Sequence, residues 1–271
     1  MIPGVGCELP DQTATTDCDM HIDLTGKTIL VTGASRGIGR ALAEGLAGAG
    51  ATVAAHFNRS RGDAEALAEA LGRESAAFQA DLADPAACER LFHSVVDAYG
   101  RIDVLVNNAG IALKTPPDAP LDEWNRDWNL TMAVNLRAVE QLCRLAIAHF
   151  QERDGGRIIN VASRAAFRGD IPEYMAYAAS KGGVVALTRS IARAFGKEGI
   201  CAFIVAPGWV RTQMAQEFID EYGEEQAAQD LALNRLTEPA DLAPLVVLLA
   251  SGLADHATGG TFDVNAGSYV H

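Results

Sequence analysis

From Lys27 onward, short β-branched runs alternate with longer Ala/Leu-rich segments. The runs are KTILVT (27–32), ATVAAHF (51–57), AAFQA (76–80), IDVLV (102–106), GRIINVAS (156–163), CAFIVAP (201–207) and GTFDV (260–264). They are apolar along most of their length rather than at every second residue, which marks strands covered on both faces. Such strands alternating with helices predict a doubly wound α/β fold, a parallel sheet with helices on both faces. About seven strands fit between residues 27 and 265. With no linker or repeat in view, residues 23–271 are expected to form one domain.

The helical segments carry end signals. RALAEGLAGAG (40–50) closes on glycine, and in the helix after residue 80 Asp84 is placed to cap, Pro85 to fill the first turn and Gly100 to end it. A long helical stretch is predicted over 122–150, and Pro244 predicts that the helix over 239–250 starts late or kinks. Residues 212–235 are helical in pattern but interrupt the alternation, as an inserted lid would. Residues 1–22 show no period and are expected to be a poorly ordered tail.

Hydrophobic residues make up 49% of the 271, enough for a large core. A net charge of −13 argues against binding to nucleic acid or an anionic membrane. No apolar run is long enough to span a bilayer, and the first basic residue is Lys27, so no signal or transit peptide is read. A soluble cytoplasmic protein is the expectation. Cys7, Cys18, Cys88, Cys143 and Cys201 have neither zinc-ligand nor disulfide-framework spacing, and no metal is expected.

VTGASRGIGRALA (31–43) follows the first strand and opens the first helix. Gly33, Gly37 and Gly39 let the backbone approach a pyrophosphate, and the helix N-terminus offers unpaired N–H groups to it. This predicts a Rossmann-type dinucleotide site, with Ser35, Arg36 and Ile38 in the loop. An acid at the end of the second strand would bind the adenosine ribose 2′-OH. Here that place reads Phe57, Asn58, Arg59, with no acid between Ala51 and Gly62. Arg36 and Arg59 are instead suited to a 2′-phosphate, so NADP(H) is expected over NAD(H), with Arg61 a weaker candidate.

TGASRGIG (32–39), Asp81, NNAG (107–110), Asn135, Ser163, YAASK (177–181) and PGWVRT (207–212) occur in that order. The set resembles the single-domain short-chain dehydrogenase/reductase family over about residues 24–267. On a helix, Tyr177 and Lys181 share one face, about 6 Å apart along the axis. A nearby ammonium and a cationic oxidised nicotinamide both favour phenolate, and a drop of about 3 pKa units from 10 corresponds to roughly 4 kcal/mol. The strand before Ser163 is read as ending at that residue, where open α/β sheets place their ligands.

The resemblance implies roles. Tyr177 is the general acid in reduction and base in oxidation, Ser163 polarises the carbonyl, Lys181 binds the nicotinamide ribose and tunes Tyr177, and Asn135 holds a relay water. It further implies cofactor contacts for Asp81 and Leu82, for Asn108, Ala109 and Gly110, for Tyr177 as well as Lys181, and for Pro207, Gly208, Val210 and Thr212. The expected reaction is hydride transfer between nicotinamide and a carbonyl or secondary alcohol of a small molecule. Family members are commonly homotetramers, so an oligomer, tetramer or dimer, is expected.

The substrate stays open. Arg164, Tyr174, Trp209, Met214 and Phe218 are candidate pocket residues, with core packing the alternative for Trp209 and Phe218. Arg164 and Arg168 suit an anionic substrate group or are charges at a cleft rim. The pattern also resembles 3-oxoacyl-carrier-protein reductases, for which Arg137 and Arg144 offer a thin basic patch, and sugar or cyclic-alcohol dehydrogenases that use NAD. A non-catalytic nucleotide sensor is disfavoured because the Asn–Ser–Tyr–Lys set is complete.

Overall fold

The computed structural model describes residues 22–213 and 229–270. The tail and most of the proposed lid, with Met214 and Phe218, lie outside the described residues.

Seven strands form one sheet in which every recorded pairing is parallel: β1 (Thr28–Val31), β2 (Thr52–Phe57), β3 (Ala76–Gln79), β4 (Val104–Asn107), β5 (Gly156–Val161), β6 (Ile200–Pro207) and β7 (Thr261–Val264). Their order across the sheet is β3-β2-β1-β4-β5-β6-β7. This is the Rossmann-type α/β fold the alternation predicts. The chain reverses its direction of growth between β1 and β4, and ligands bind at such a switch point, beyond the C-terminal strand ends.

The near-continuous apolar runs have a direct cause. On β4, Leu105 packs into one core while Val104 and Val106 pack into the other. The first core takes α3 (Pro85–Tyr99), α5 (Ala138–Gln151) and α7 (Met175–Phe195). The second takes α1 (Gly37–Gly48) and α8 (Ala243–Ser251). All eight residues of β6 are buried. The remaining α-helices among the described residues are α2 (Arg61–Leu71), α4 (Leu121–Met132) and a single turn, α6 (Ala165–Arg168).

The end signals behave as their chemistry dictates. Asp84 accepts the Ala86 N–H at 2.9 Å, Pro85 opens α3, and Gly100 closes it at φ 72°. A 3₁₀ turn at Pro239–Leu242 precedes α8, which starts late and holds Pro244 at its N-terminus.

The stretch 122–150 is helical throughout, as expected, with a π turn at Ala133–Arg137 between α4 and α5. One expectation, that Ser163 ends the fifth strand, needs correction. β5 stops at Val161, so Ser163 sits two residues beyond the strand in the turn that leads to α6. Tyr174 ends a 3₁₀ turn (Pro172–Tyr174), and α7 begins at Met175. Among the described residues no helix is long and apolar enough to cross a membrane, and no cluster of His, Cys, Asp or Glu is set to hold a metal. Cys88, Cys143 and Cys201 are buried and unbonded.

Candidate active site

The glycine loop is held from three sides. Gly33 and Gly37 have φ of 65° and 55°, where a side chain would be strained. A Cβ on Gly39 would lie 2.1 Å from the Gly33 carbonyl oxygen, so only glycine lets the chain close on itself there. His56, buried in β2, accepts the Gly33 N–H through Nδ1 at 3.0 Å and reaches the Ala80 carbonyl through Nε2 at 3.1 Å. Burial drives its pKa down to about 4, so the ring is neutral with its proton on Nε2. Thr32 Oγ1 accepts the N–H groups of Asn108 and Ala109 at 2.9 and 3.0 Å, and Asn108 Nδ2 donates to the Thr32 carbonyl at 2.9 Å. NNAG is thereby clamped to the loop.

The residues present fit a dinucleotide. The first turn of α1 contains no acid, and Arg36 does not cap it with its side chain. Its N–H groups are therefore open to an anion. Ser35 and Ile38 are half-buried in the loop, with Ile38 packed against the core. Arg36 is exposed and donates to Gln213 at 2.6 Å. At the end of β2, Asn58 donates to Asp81 at 3.4 Å, and Asp81 also accepts the Ala83 N–H at 3.0 Å. Leu82 is buried in the core. Arg61 is spent on Glu65 and Gln79, whereas no hydrogen bond or ion pair among the described residues engages the exposed Arg59 side chain.

The second half of the site meets NNAG at Gly110. A Cβ there would stand 3.4 Å from both Asn135 Oδ1 and Lys181 Nζ. Asn135 is completely buried in the π turn, a feature frequent at functional sites. Its amide accepts the Ile111 N–H and donates to the Ile111 carbonyl, each at 2.8 Å, and donates to Ser180 Oγ at 3.1 Å. Ser180 in turn donates to the Tyr177 carbonyl. The side chain of Asn135 is thus a strut between two elements; a relay water would be left to its backbone. Gly183 abuts Leu136 of the same π turn, so this small residue serves packing within the chain.

Lys181 is 4% exposed, and its ammonium donates to the Val161 carbonyl at 2.9 Å. Burial pushes its pKa down to about 8. Tyr177, one turn back on α7, carries Lys181 Nζ at 5.8 Å from its ring centre. Tyr177 keeps part of its surface open, but its phenol is crowded enough that burial raises its pKa, with the Ser163 hydrogen bond opposing this and Asp170 adding to it. The protein's own groups therefore do not by themselves supply the depression expected with an oxidised nicotinamide beside the ring. At the distance seen, Lys181 does not outweigh desolvation, and the protein alone holds Tyr177 as the neutral phenol. Ser163, buried at the mouth of β5, accepts the Ala165 N–H at 3.1 Å.

The loop after β6 closes the remaining side. The Pro207 carbonyl accepts the Arg164 N–H at 2.9 Å, and Gly208 donates to Val264 at 3.1 Å. Val210 is buried and bridges to Thr237. Thr212 Cγ2 is 3.4 Å from where a Gly37 Cβ would stand. Trp209 is half-buried with the Arg164 guanidinium 5.5 Å over its ring, and Tyr174 is half-buried ahead of α7. The positioning residues Thr32, His56 and Ser180 escaped sequence reading. A Thr before the loop and a Ser inside YAASK were visible, but their partners lie 76, 77 and 45 residues away.

A glycine-rich loop opening a helix at the switch point, beside a Tyr–Lys pair and a serine, defines an oxidoreductase that acts with NAD(P). The family model described as Enoyl-(Acyl carrier protein) reductase matches residues 33–269. The 3-oxoacyl-[acyl-carrier-protein] reductase FabG of Vibrio harveyi is 37% identical over 251 residues, covering 92% of this chain and all of that protein. A dehydrogenase/reductase from Sinorhizobium meliloti superposes with a TM-score of 0.86 at 36% identity, over 92% of this chain and 98% of its own. A blue fluorescent protein from a metagenomic library, solved with NADPH, gives 0.84 at 37% identity, over 92% of this chain and all of its own. The chain belongs to the short-chain dehydrogenase/reductase family.

Proposed function

We propose that the protein is an NADP(H)-dependent enzyme that interconverts a carbonyl and a secondary alcohol, with Tyr177 moving the proton at the substrate oxygen. The observation that carries this is the meeting of Tyr177, Ser163, Lys181 and Asn135 beyond the strand ends. Bound nicotinamide supplies or accepts the hydride. Ser163 holds the substrate oxygen with its hydroxyl, and Tyr177, neutral in the protein, is ready to donate to that oxygen in reduction. Lys181, with no carboxylate paired to it among the described residues, places a positive charge at the site and keeps donors beyond its bond to Val161 for a ribose. Asn135 lies in the π turn, and its backbone is the proposed contact for a relay water.

The preference for NADP(H) rests on the absence of an acid at the end of β2, on Arg59, whose side chain is unengaged among the described residues, and on Arg36 in the glycine loop. A panel of ketones, aldehydes and alcohols run with NADPH/NADP and NADH/NAD in parallel tests both parts. Turnover with NADPH over NADH is expected; a strong NADH preference refutes the reading of Arg59, and no turnover with either refutes the reaction. The second reading, reduction of a 3-oxoacyl thioester on a carrier protein, is favoured by the Vibrio harveyi relative. Its basic patch is thin here, since Arg137 is tied to Glu140 at 2.8 Å.

A further inference from the structure

Arg164 directly follows Ser163, and its side chain is 8% exposed. A buried guanidinium is ordinarily neutralised, because an unpaired buried charge costs several kcal/mol. This one is not. Its Nη1 is buried with no hydrogen-bond partner, and no carboxylate lies within ion-pairing distance of it among the described residues. Asp230 pairs instead with Arg168, at 3.5 Å. Its Cζ lies 5.5 Å over the centre of the Trp209 ring, an apolar face that cannot satisfy its donors. Burial, with the like charge of Arg168 behind it, pulls the Arg164 pKa down, against the opposing pull of the more distant Asp230 and Asp170. The backbone leaves little freedom in where the side chain starts, because the Arg164 N–H is bound to Pro207 at the joined ends of β5 and β6. In a chain of net charge −13, long-range attraction will not bring in an anion, so a local cation must.

We propose that Arg164, over Trp209 and next to Ser163, is a substrate-binding residue that takes a carboxylate of the substrate near the reacting carbonyl. The substrate class is then an oxo acid or its hydroxy-acid counterpart, a refinement that rests on the carbonyl/alcohol reading above. The planar fork of arginine matches a carboxylate with two parallel hydrogen bonds. Arg168, exposed and paired with Asp230, is not part of this contact.

The test is calorimetric binding of linear oxo acids and their methyl esters to NADPH-saturated wild type, Arg164→Met and Arg164→Lys. Methionine keeps an apolar stem on Trp209 and removes the charge; lysine keeps the charge and loses the fork. Wild type should bind acids about 10- to 100-fold tighter than their esters. Arg164→Met should lose that preference with NADPH and ester affinity unchanged, and Arg164→Lys should keep part of it. No acid preference in wild type, or one that survives in Arg164→Met, overturns the proposal. Loss of NADPH affinity in Arg164→Met transfers the decision to Arg164→Lys, where a preference equal to wild type with a full set of acids, or none at all, also overturns it. Turnover separates the two readings. Neutral carbonyls reduced without acid preference sink the carboxylate site alone, whereas acids bound through Arg164 but never reduced sink the reaction alone.

Discussion

His56 ties the glycine loop to the sheet, and its protonation should loosen both. Its Nδ1 accepts from Gly33 while Nε2 faces the Ala80 carbonyl, so a second ring proton would point an N–H at an N–H. The folded-state pKa is about 4, against 6.5 for an ordinary histidine. Between these values the unfolded chain binds more protons than the folded one. Stability therefore falls as pH drops from 6.5 toward 4, by about 3 kcal/mol over the full window and about 2 kcal/mol by about pH 5. His56→Leu removes this linkage. At neutral pH it should cost about 1–3 kcal/mol for each buried backbone group left unpaired. On acidification the gap between variant and wild type should close by the amounts above. Urea unfolding of both proteins at several pH values between about 7 and 4.5 measures the gap, and titrations common to both cancel. Parallel stability curves would refute the assignment of His56 as a buried neutral lock.

Other expectations follow from single contacts. Gly39→Ala places a Cβ 2.1 Å from the Gly33 carbonyl, so NADPH binding by fluorescence titration should drop below detection while the far-UV spectrum stays α/β. Arg59→Gln should weaken NADPH by about 10-fold and leave NADH within about 2-fold, the size of one charged hydrogen bond; equal losses would remove Arg59 from the 2′-phosphate. With the Lys181 pKa at about 8, the lysine charge is present below that pH and lost above it, so the reduction rate should fall on the alkaline side near pH 8. A reduction profile flat beyond about pH 10, the unperturbed lysine range, would contradict this.

The sheet was legible because both of its faces are buried, which writes seven apolar runs into the chain. The ends of α3 were legible because Asp84, Pro85 and Gly100 act locally. The π turn was not, since Ala133–Arg137 has ordinary helical composition and its register shift is fixed by contacts with Ile111, Ser180 and Gly183. The helix spacing of Tyr177 and Lys181 was readable, but the direction of the Tyr177 shift was not. It depends on how much water the folded chain removes from the phenol, a quantity that no spacing encodes. Arg164 was visible as a charge; its burial and its missing partner were not.

The central claim is that Tyr177 moves the proton and does little to hold the cofactor. Tyr177→Phe removes only the hydroxyl from a helix position that stays packed. Parallel measurement of NADPH affinity and of carbonyl turnover should show affinity within about 3-fold of wild type and turnover lower by about 10²-fold or more, the contribution of a positioned acid. Near-wild-type turnover in Tyr177→Phe would contradict the account.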